Sequence, residues 1–210
     1  MKYTFNIYLF FFFFMVRTIE PKLKRIRRLG DIPGLTEKVS IRSAFLDPQT
    51  GKPKKLSEYG YRLKEKQKLR FYYGVTEKQL IRYMKKAKAS KNPTGKALIQ
   101  FLEMRLDNII FRAGVTSTVS QARQLVNHGH VKVNNQRVNI PSFQCRIDDS
   151  ISFRHFEKTD LPIARSFPPC NHLEVDFKKS VIKVTKKADI SSLPFQLNEM
   201  RVIEYYSRKI

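Results

Sequence analysis

Residues 105–153, RLDNIIFRAGVTSTVSQARQLVNHGHVKVNNQRVNIPSFQCRIDDSISF, decide how the chain folds. Thr118-Val119-Ser120-Gln121 reads as a capping box: the threonine hydroxyl accepts from the amide three residues on, and Gln121 reaches back. Ala122, Leu125 and Val126 supply the buried stripe of the helix that follows, leaving Arg123, Gln124 and His128 outward. Gly129 takes the left-handed conformation that stops this helix. The chain then runs through His130-Val131-Lys132-Val133, turns at Asn134-Asn135, and returns through Arg137, Val138 and Ile140. Val131 and Val133 alternate inward while His130 and Lys132 point out. The expectation is two short helices, a basic turn and a β-hairpin. Arg123, His128, His130, Lys132 and Arg137 then share one face with the exposed backbone of Gly129. Such a face suits the phosphates of a folded RNA, gripped by shape rather than by base sequence.

The chain around this unit is strongly cationic. Its 41 Lys+Arg against 18 Asp+Glu leave a formal charge of +23. An excess of that size favours a polyanionic partner, because each phosphate neutralised releases condensed counterions. The charge is uneven: residues 17–96 carry 23 Lys+Arg and 7 Asp+Glu, a net of +16, whereas residues 97–210 carry 17 and 11, a net of +6. Apolar residues make up 41% of the chain, enough for a modest core.

Upstream, Lys22, Lys24, Arg25, Arg27 and Arg28 form a basic run interrupted every third residue by Leu23, Ile26 and Leu29. One side can pack while Lys24, Arg25, Arg27 and Arg28 face outward. Residues 31–47 carry Pro33 and Gly34 and read as irregular; Lys54 and Lys55 lie in an exposed basic loop, read as a segment ordered by bound RNA in preference to a free linker. Next, SEYGYRLKEKQKLRFYYG (57–74) sets Arg62, Lys64, Lys66, Lys68 and Arg70 among five aromatics, which either stack on bases or fill a core. Gly74 ends that helix. Thr76-Glu77-Lys78-Gln79 is another capping box, with Leu80, Tyr83, Met84 and Ala87 on one face and Lys85, Lys86, Lys88 and Lys91 on the other sides. Thr94 is read as the cap of a third helix that buries Leu98, Phe101, Leu102, Leu106, Ile109, Ile110 and Ala113 and stops at Gly114.

Beyond the hairpin, Leu173 to Phe177 and Val181 to Val184 read as short strands around Lys178-Lys179, and Val202 to Tyr206 as a last strand or packing segment. Cys145 and Cys170 are too few and too far apart for a disulfide framework or a zinc site, and read as structural thiols in a reducing compartment. The four histidines have no metal-ligand spacing, so no cofactor and no metal is expected.

The first residues form a separate puzzle. Tyr3 to Val16 contains five consecutive phenylalanines, shorter than the about 20 apolar residues a membrane span needs. Its length suits a signal-peptide core, but no small-residue cleavage site follows. The preferred reading takes Met15 as the working start and the first 14 residues as a misassigned upstream extension, within an apolar segment (1–16) read as non-native or unstructured. A targeting role and a tolerated tail stay open.

Several motifs resemble, in order, those of the ribosomal small-subunit protein four family: KRIRRLG (24–30), EKQKLRFYYGVTEKQL (65–80), LEMRLDNIIFRAG (102–114), ARQLVNHGHVKVN (122–134), VNIPS (138–142) and LNEMRVIEYYSR (197–208). The similarity spans about Lys22 to Arg208, and residues 105–153 resemble that family's S-four RNA-binding domain. EKQKLRFYYG and IPSFQCR look most like plastid-encoded members. The resemblance implies an α+β fold: a helical N-terminal RNA-binding part (17–96) wrapped around a small αα-β-hairpin module (97–156). A short-strand C-terminal segment (157–210) would pack back on the N-terminal part.

The resemblance also implies an early-assembling protein that binds a helix junction in the 5′ domain of small-subunit rRNA. Its other implied partners are small-subunit protein five and mRNA at the entry path, with a role in translational accuracy and a place in the plastid stroma. Carried onto matching positions, Lys64, Lys66, Lys68 and Arg70 would grip rRNA from the N-terminal part. Arg105, Arg112, Arg123, His128, His130 and Lys132 would do so from the module. Asp107 is expected to be a structural partner of a nearby cation. The chain departs from the family at three points. Asn134-Asn135 replaces the usual Asn-Gly turn, no cysteine cluster stands near the N-terminus, and Ser40 to Lys55 does not align cleanly, which leaves an mRNA-unwinding role unsupported. S-four modules occur also in pseudouridine synthases and aminoacyl-tRNA synthetases, but no nucleotide-cradling glycine stretch or catalytic domain accompanies this one. A membrane-anchored regulator would rest on the phenylalanine run alone.

Overall fold

The computed structural model describes residues 21–30, 32–36, 56–154, 170–177, 179–189 and 193–207. The phenylalanine run, Lys54 and Lys55 lie outside them.

The N-terminal helices follow from local signals. Helix α1 (Lys22–Leu29) closes on Gly30. Helix α2 (Glu58–Tyr72) starts where the Ser57 hydroxyl accepts from the Gly60 amide at 3.2 Å, and ends before Gly74, whose φ is +59°. Helix α3 (Glu77–Lys88) carries the full reciprocal cap: the Gln79 amide donates to Thr76 Oγ1 at 3.3 Å and the Thr76 amide to Gln79 Oε1 at 3.1 Å.

The expected single helix down to Gly114 is two. Helix α4 (Thr94–Glu103) begins after Pro93, so Thr94 is its first residue and supplies no cap bond. Arg105 is extended, and α5 (Leu106–Arg112) starts anew beyond it. The break is stable because a downstream loop satisfies the freed backbone groups. The Cys145 amide donates to Met104 O at 2.9 Å, Leu106 N to Phe143 O at 2.9 Å, and Asp107 N to Pro141 O at 3.1 Å.

Helix α6 (Val119–Asn127) has half of its expected box. Thr118 Oγ1 accepts from the Gln121 amide, but the Gln121 side chain bonds Ser117 instead of returning to Thr118. Gly129 at φ +72° turns the chain into β1 (Val131–Val133), and Asn134 and Asn135 at φ +49° and +66° reverse it into β2 (Gln136–Arg137). Both turn residues are left-handed, the type I′ requirement that asparagine tolerates. Asn134 also fixes the turn from its side chain, donating to Asp149 at 2.8 Å and accepting from the Ser150 amide at 2.9 Å.

The hairpin does not stand alone. Strands β3 (Ser150–Phe153), β4 (Leu173–Asp176) and β5 (Val181–Val184) complete an antiparallel sheet of order β2-β1-β3-β5-β4. Val131, Val133, Ile151, Phe153, Ile182 and Val184 bury its inner face.

The run Val202 to Tyr206, read as a strand or packing segment, is helical: α7 spans Glu199–Ser207. Val202, Tyr205 and Tyr206 are buried at i, i+3 and i+4, a face that only a helix presents to one neighbour. That neighbour is α2, where Tyr59 meets Tyr205 with ring centroids 5.9 Å apart and Arg62 pairs with Glu204 at 2.8 Å. The architecture is α+β, and one hydrophobic cluster runs from Leu69 and Leu80 through Ile109 and Ile110 to Ile151 and Val184. Among the described residues, no helix is long and apolar enough to cross a membrane.

Candidate nucleic-acid interface

The cations divide into those held by carboxylates inside the fold and those that face outward. Arg105 is 2% exposed. Its Nε and Nη2 donate to the two oxygens of Asp107 at 3.0 and 2.8 Å, and Nη1 donates to the Tyr83 hydroxyl at 2.9 Å. Arg123 donates to the same carboxylate at 2.7 Å and reaches the carbonyls of Gly74 and Tyr73 at 2.8 and 3.2 Å. Asp107 is thus the structural partner it was expected to be, for two arginines rather than one.

A second buried group surrounds Glu103. It accepts from the Tyr73 hydroxyl at 2.6 Å and from Asn108 Nδ2 at 2.8 Å, and lies 3.6 Å from Arg112. Burial pushes the Glu103 carboxyl above the usual carboxylate range, opposed by Arg112 and these donors.

The structure therefore withdraws several residues from the expected surface. Arg105, just ahead of the fully buried α5, and Arg112, its last residue, both lie inside, each beside a buried carboxylate, Asp107 and Glu103. Arg25 was expected to face outward; it is buried, with its guanidinium 4.4 Å from the centre of the Phe71 ring. Lys66 is buried against both Glu77 oxygens at 3.0 Å. Arg123 is part-exposed yet held on Asp107. Arg62, Lys68 and Arg70 are part-exposed and face Glu204, Glu65 and Glu77 at 2.8, 3.3 and 3.7 Å. Lys64 is part-buried, and burial, then Lys68, lowers its pKa. Of the aromatics between residues 57 and 74, Tyr72 and Tyr73 are core, while Tyr59 is exposed.

What remains outward gathers at the hairpin and on α1. Lys24, Arg27, Arg28, Gln124, His128 and Arg137 are exposed; His130 and Lys132 are half-exposed. Lys132 and Arg137 sit directly opposite each other across β1 and β2. Like charges so placed repel, and an anion bound over them relieves the repulsion. The His128 and His130 rings are 6.0 Å apart, and Arg137 Nη2 donates to the His128 carbonyl at 3.4 Å. The guanidinium of Arg137 lies against the Gly129 Cα, where a Cβ would collide with it. The glycine thus lets the turn and the cation pack together.

Exposed Arg154 belongs beside this patch, its amide donating to the His130 carbonyl at 2.9 Å. It was missed because the edge of β3 was not legible; the signal was the alternation Ile151, Phe153 with a cation directly after. The patch is suited to contact with phosphate oxygens. Cys145 and Cys170 are both buried and unpaired as thiols, and among the described residues no group of three His, Cys, Asp or Glu stands ready for a metal.

Comparison with known proteins matches two stretches of the chain. The family model described as S4 domain matches residues 104–151, and that described as Ribosomal protein S4/S9 N-terminal domain matches residues 17–103. The chain is 52% identical to small ribosomal subunit protein uS4c of Rhodomonas salina over 190 residues, covering 88% of this chain and 94% of that protein. It is 50% identical over 206 residues to small ribosomal subunit protein uS4 of Cyanothece sp., covering 93% of this chain and all of the relative. With uS4c of Guillardia theta it shares 49% identity over 193 residues, 89% of this chain and 96% of the relative. A chain matched along both its N-terminal helices and its hairpin module, at half identity over nearly its whole length, belongs to the small ribosomal subunit protein uS4 family.

Proposed function

We propose that the chain is a structural, non-catalytic component of the small ribosomal subunit that binds rRNA through its sugar–phosphate outline. The observation that carries this reading is the outward patch at the hairpin, where Lys132 and Arg137 stand opposite each other with His128, His130 and Arg154 alongside. No carboxylate is paired with Arg137 or Arg154 among the described residues. Lys24, Arg27 and Arg28 on α1 offer a second contact, and Gln124 a polar flank.

The family resemblance extends this to a helix junction in the 5′ domain of small-subunit rRNA, engaged early in assembly. It also supports protein five as a neighbour, a position near the mRNA entry path and a part in translational accuracy. The algal relatives named uS4c and the plastid-like wording of EKQKLRFYYG support a plastid ribosome in the stroma.

The test is binding of the full chain to a 5′-domain transcript over a salt series, together with sedimentation against plastid small subunits. Replacing Lys132 and Arg137 with glutamine should make log K fall with log salt about 1.5 to 2 units less steeply, as expected for two lost phosphate contacts. Absence from small subunits, or salt-independent binding by the unmodified chain, sinks the proposal.

A further inference from the structure

Two imidazoles stand in the hairpin patch among cations whose charge is permanent. His128 is the C-cap of α6 and is exposed; His130, half-exposed, leads into β1. Their rings are 6.0 Å apart. Three fixed cations surround them, one from each neighbouring piece of backbone. Lys132 follows on β1, and Arg137 faces it from β2 and donates to the His128 carbonyl at 3.4 Å. Arg154, just after β3, donates its amide to the His130 carbonyl at 2.9 Å. Arg123, the other cation of α6, is held on Asp107, and Asp149 is engaged by Asn134 at the hairpin turn. His128 has no carboxylate partner among the described residues.

Two effects of opposite sign act on a proton at this place in the free chain. The C-terminus of α6 favours a positive ring at His128. The second imidazole, Lys132, Arg137 and Arg154 disfavour it, as like charges do. A phosphate oxygen bound over the patch cancels the second effect and leaves the first. A protonated ring also offers that oxygen a charge-assisted N–H donor. Lysine and arginine stay charged through the neutral range, whereas an imidazole in ordinary surroundings changes charge between about pH 5 and 8.

We infer that His128 and His130 make the hairpin grip proton-linked: a phosphate backbone bound there draws protons onto the two rings, so the RNA is held more tightly as pH falls from 8 to 6. This rests on the rRNA-binding reading above and gives that site a control by pH. The fixed cations alone supply none, because their charge is the same at both ends of the range.

The test is the affinity of the full chain for a 5′-domain transcript between pH 6 and 8 at constant salt. Calorimetry in two buffers of different ionisation enthalpy counts the protons taken up. The unmodified chain should bind about tenfold more tightly at pH 6 than at pH 8, the change equivalent to a one-unit shift at one group. Net proton uptake should accompany binding near pH 7. The pair His128→Gln and His130→Gln should lose most of the pH dependence and of the uptake. The pair His128→Lys and His130→Lys fixes the charge, and should bind at pH 8 as tightly as the unmodified chain does at pH 6. That gain is one a damaged fold does not mimic. His155, which lies outside the described residues, is retained in every variant. Affinity that is flat with pH in the unmodified chain overturns the inference while leaving the hairpin patch standing. So does a pH dependence that survives in the glutamine pair, which would trace it to the RNA or to another group. A chain that binds the transcript at no pH fails the rRNA-binding reading itself.

Discussion

Arg123 and Asp107 meet at 2.7 Å between α6 and α5, and the same guanidinium donates to the Gly74 carbonyl at the end of α2. One side chain therefore joins the hairpin module to the N-terminal helices. Asp107 in turn holds Arg105, so a single fully buried carboxylate serves two arginines.

Replacing Asp107 with alanine strands Arg105 in the interior without a counter-charge. The expected loss is about 3–5 kcal/mol of unfolding free energy, the usual effect of removing one member of a buried pair. Urea denaturation of the variant and the unmodified chain measures it. A shift of less than about 1 kcal/mol would place this pair with weak surface bridges instead.

Gly129→Ala asks for two things at once: a side chain at φ +72°, and a Cβ where the Arg137 guanidinium lies. The conformational part alone costs about 1–2 kcal/mol. The collision displaces Arg137, so RNA affinity should fall together with stability. In an Arg137→Ala background the same glycine substitution should cost less stability, and the difference is the coupling between the two positions. Equal costs in both backgrounds would show that Arg137 does not depend on the missing Cβ.

His172 is 3% exposed, and neither ring nitrogen has a hydrogen-bond partner among the described residues. Burial, and then the nearby Arg112 charge, lower its pKa from 6.5 to about 4. Between those values the unfolded chain binds the proton and the folded chain does not. The stability that the neutral ring contributes is thus complete above pH 6.5 and is lost as pH falls through about 4. The unmodified chain should lose more unfolding free energy between pH 7.5 and 4.5 than His172→Phe. Parallel curves for the two proteins would contradict the assignment.

Burial pushes the Cys145 thiol up to about 12, with Asp149 and Asp107 adding to the shift, and burial raises Cys170 as well. Only a thiolate reacts readily. Iodoacetamide at pH 8 should therefore leave both cysteines unmodified in the folded chain and label both in urea, read by intact mass. Rapid labelling of the folded protein at Cys145 would show that the loop bridging Met104 and Cys145 opens freely.

Local signals were the most legible. Thr76 and Gln79 announce α3, Asn134-Asn135 announces the type I′ turn, and Val131 and Val133 fix which face of the hairpin is inside. Each is settled by residues a few positions apart. The break at Arg105 was not legible, since the groups that satisfy it come from residues 141–145. Nor was α7: aromatic and β-branched residues favour strands, and only the packing of Tyr205 against α2 and the bond from the Tyr206 hydroxyl to Glu77 of α3 decide otherwise. The same limit governed the site. Lys132 and Arg137 could be placed outward from alternation, whereas the withdrawal of Arg105, Arg112, Arg25 and Lys66 depends on partners no local pattern reveals. Net charge overestimates an interface when part of it is neutralised from within.

The ion pair between Arg62 and Glu204 closes over 142 residues, and β3 waits for β5 to cover its outer edge. During synthesis both partners emerge well after the segments they cover. Until then the packing face of α2 and the edge of β3 stay open to solvent and to other chains. A nascent copy is therefore open to mispairing along that edge until the C-terminal strands arrive.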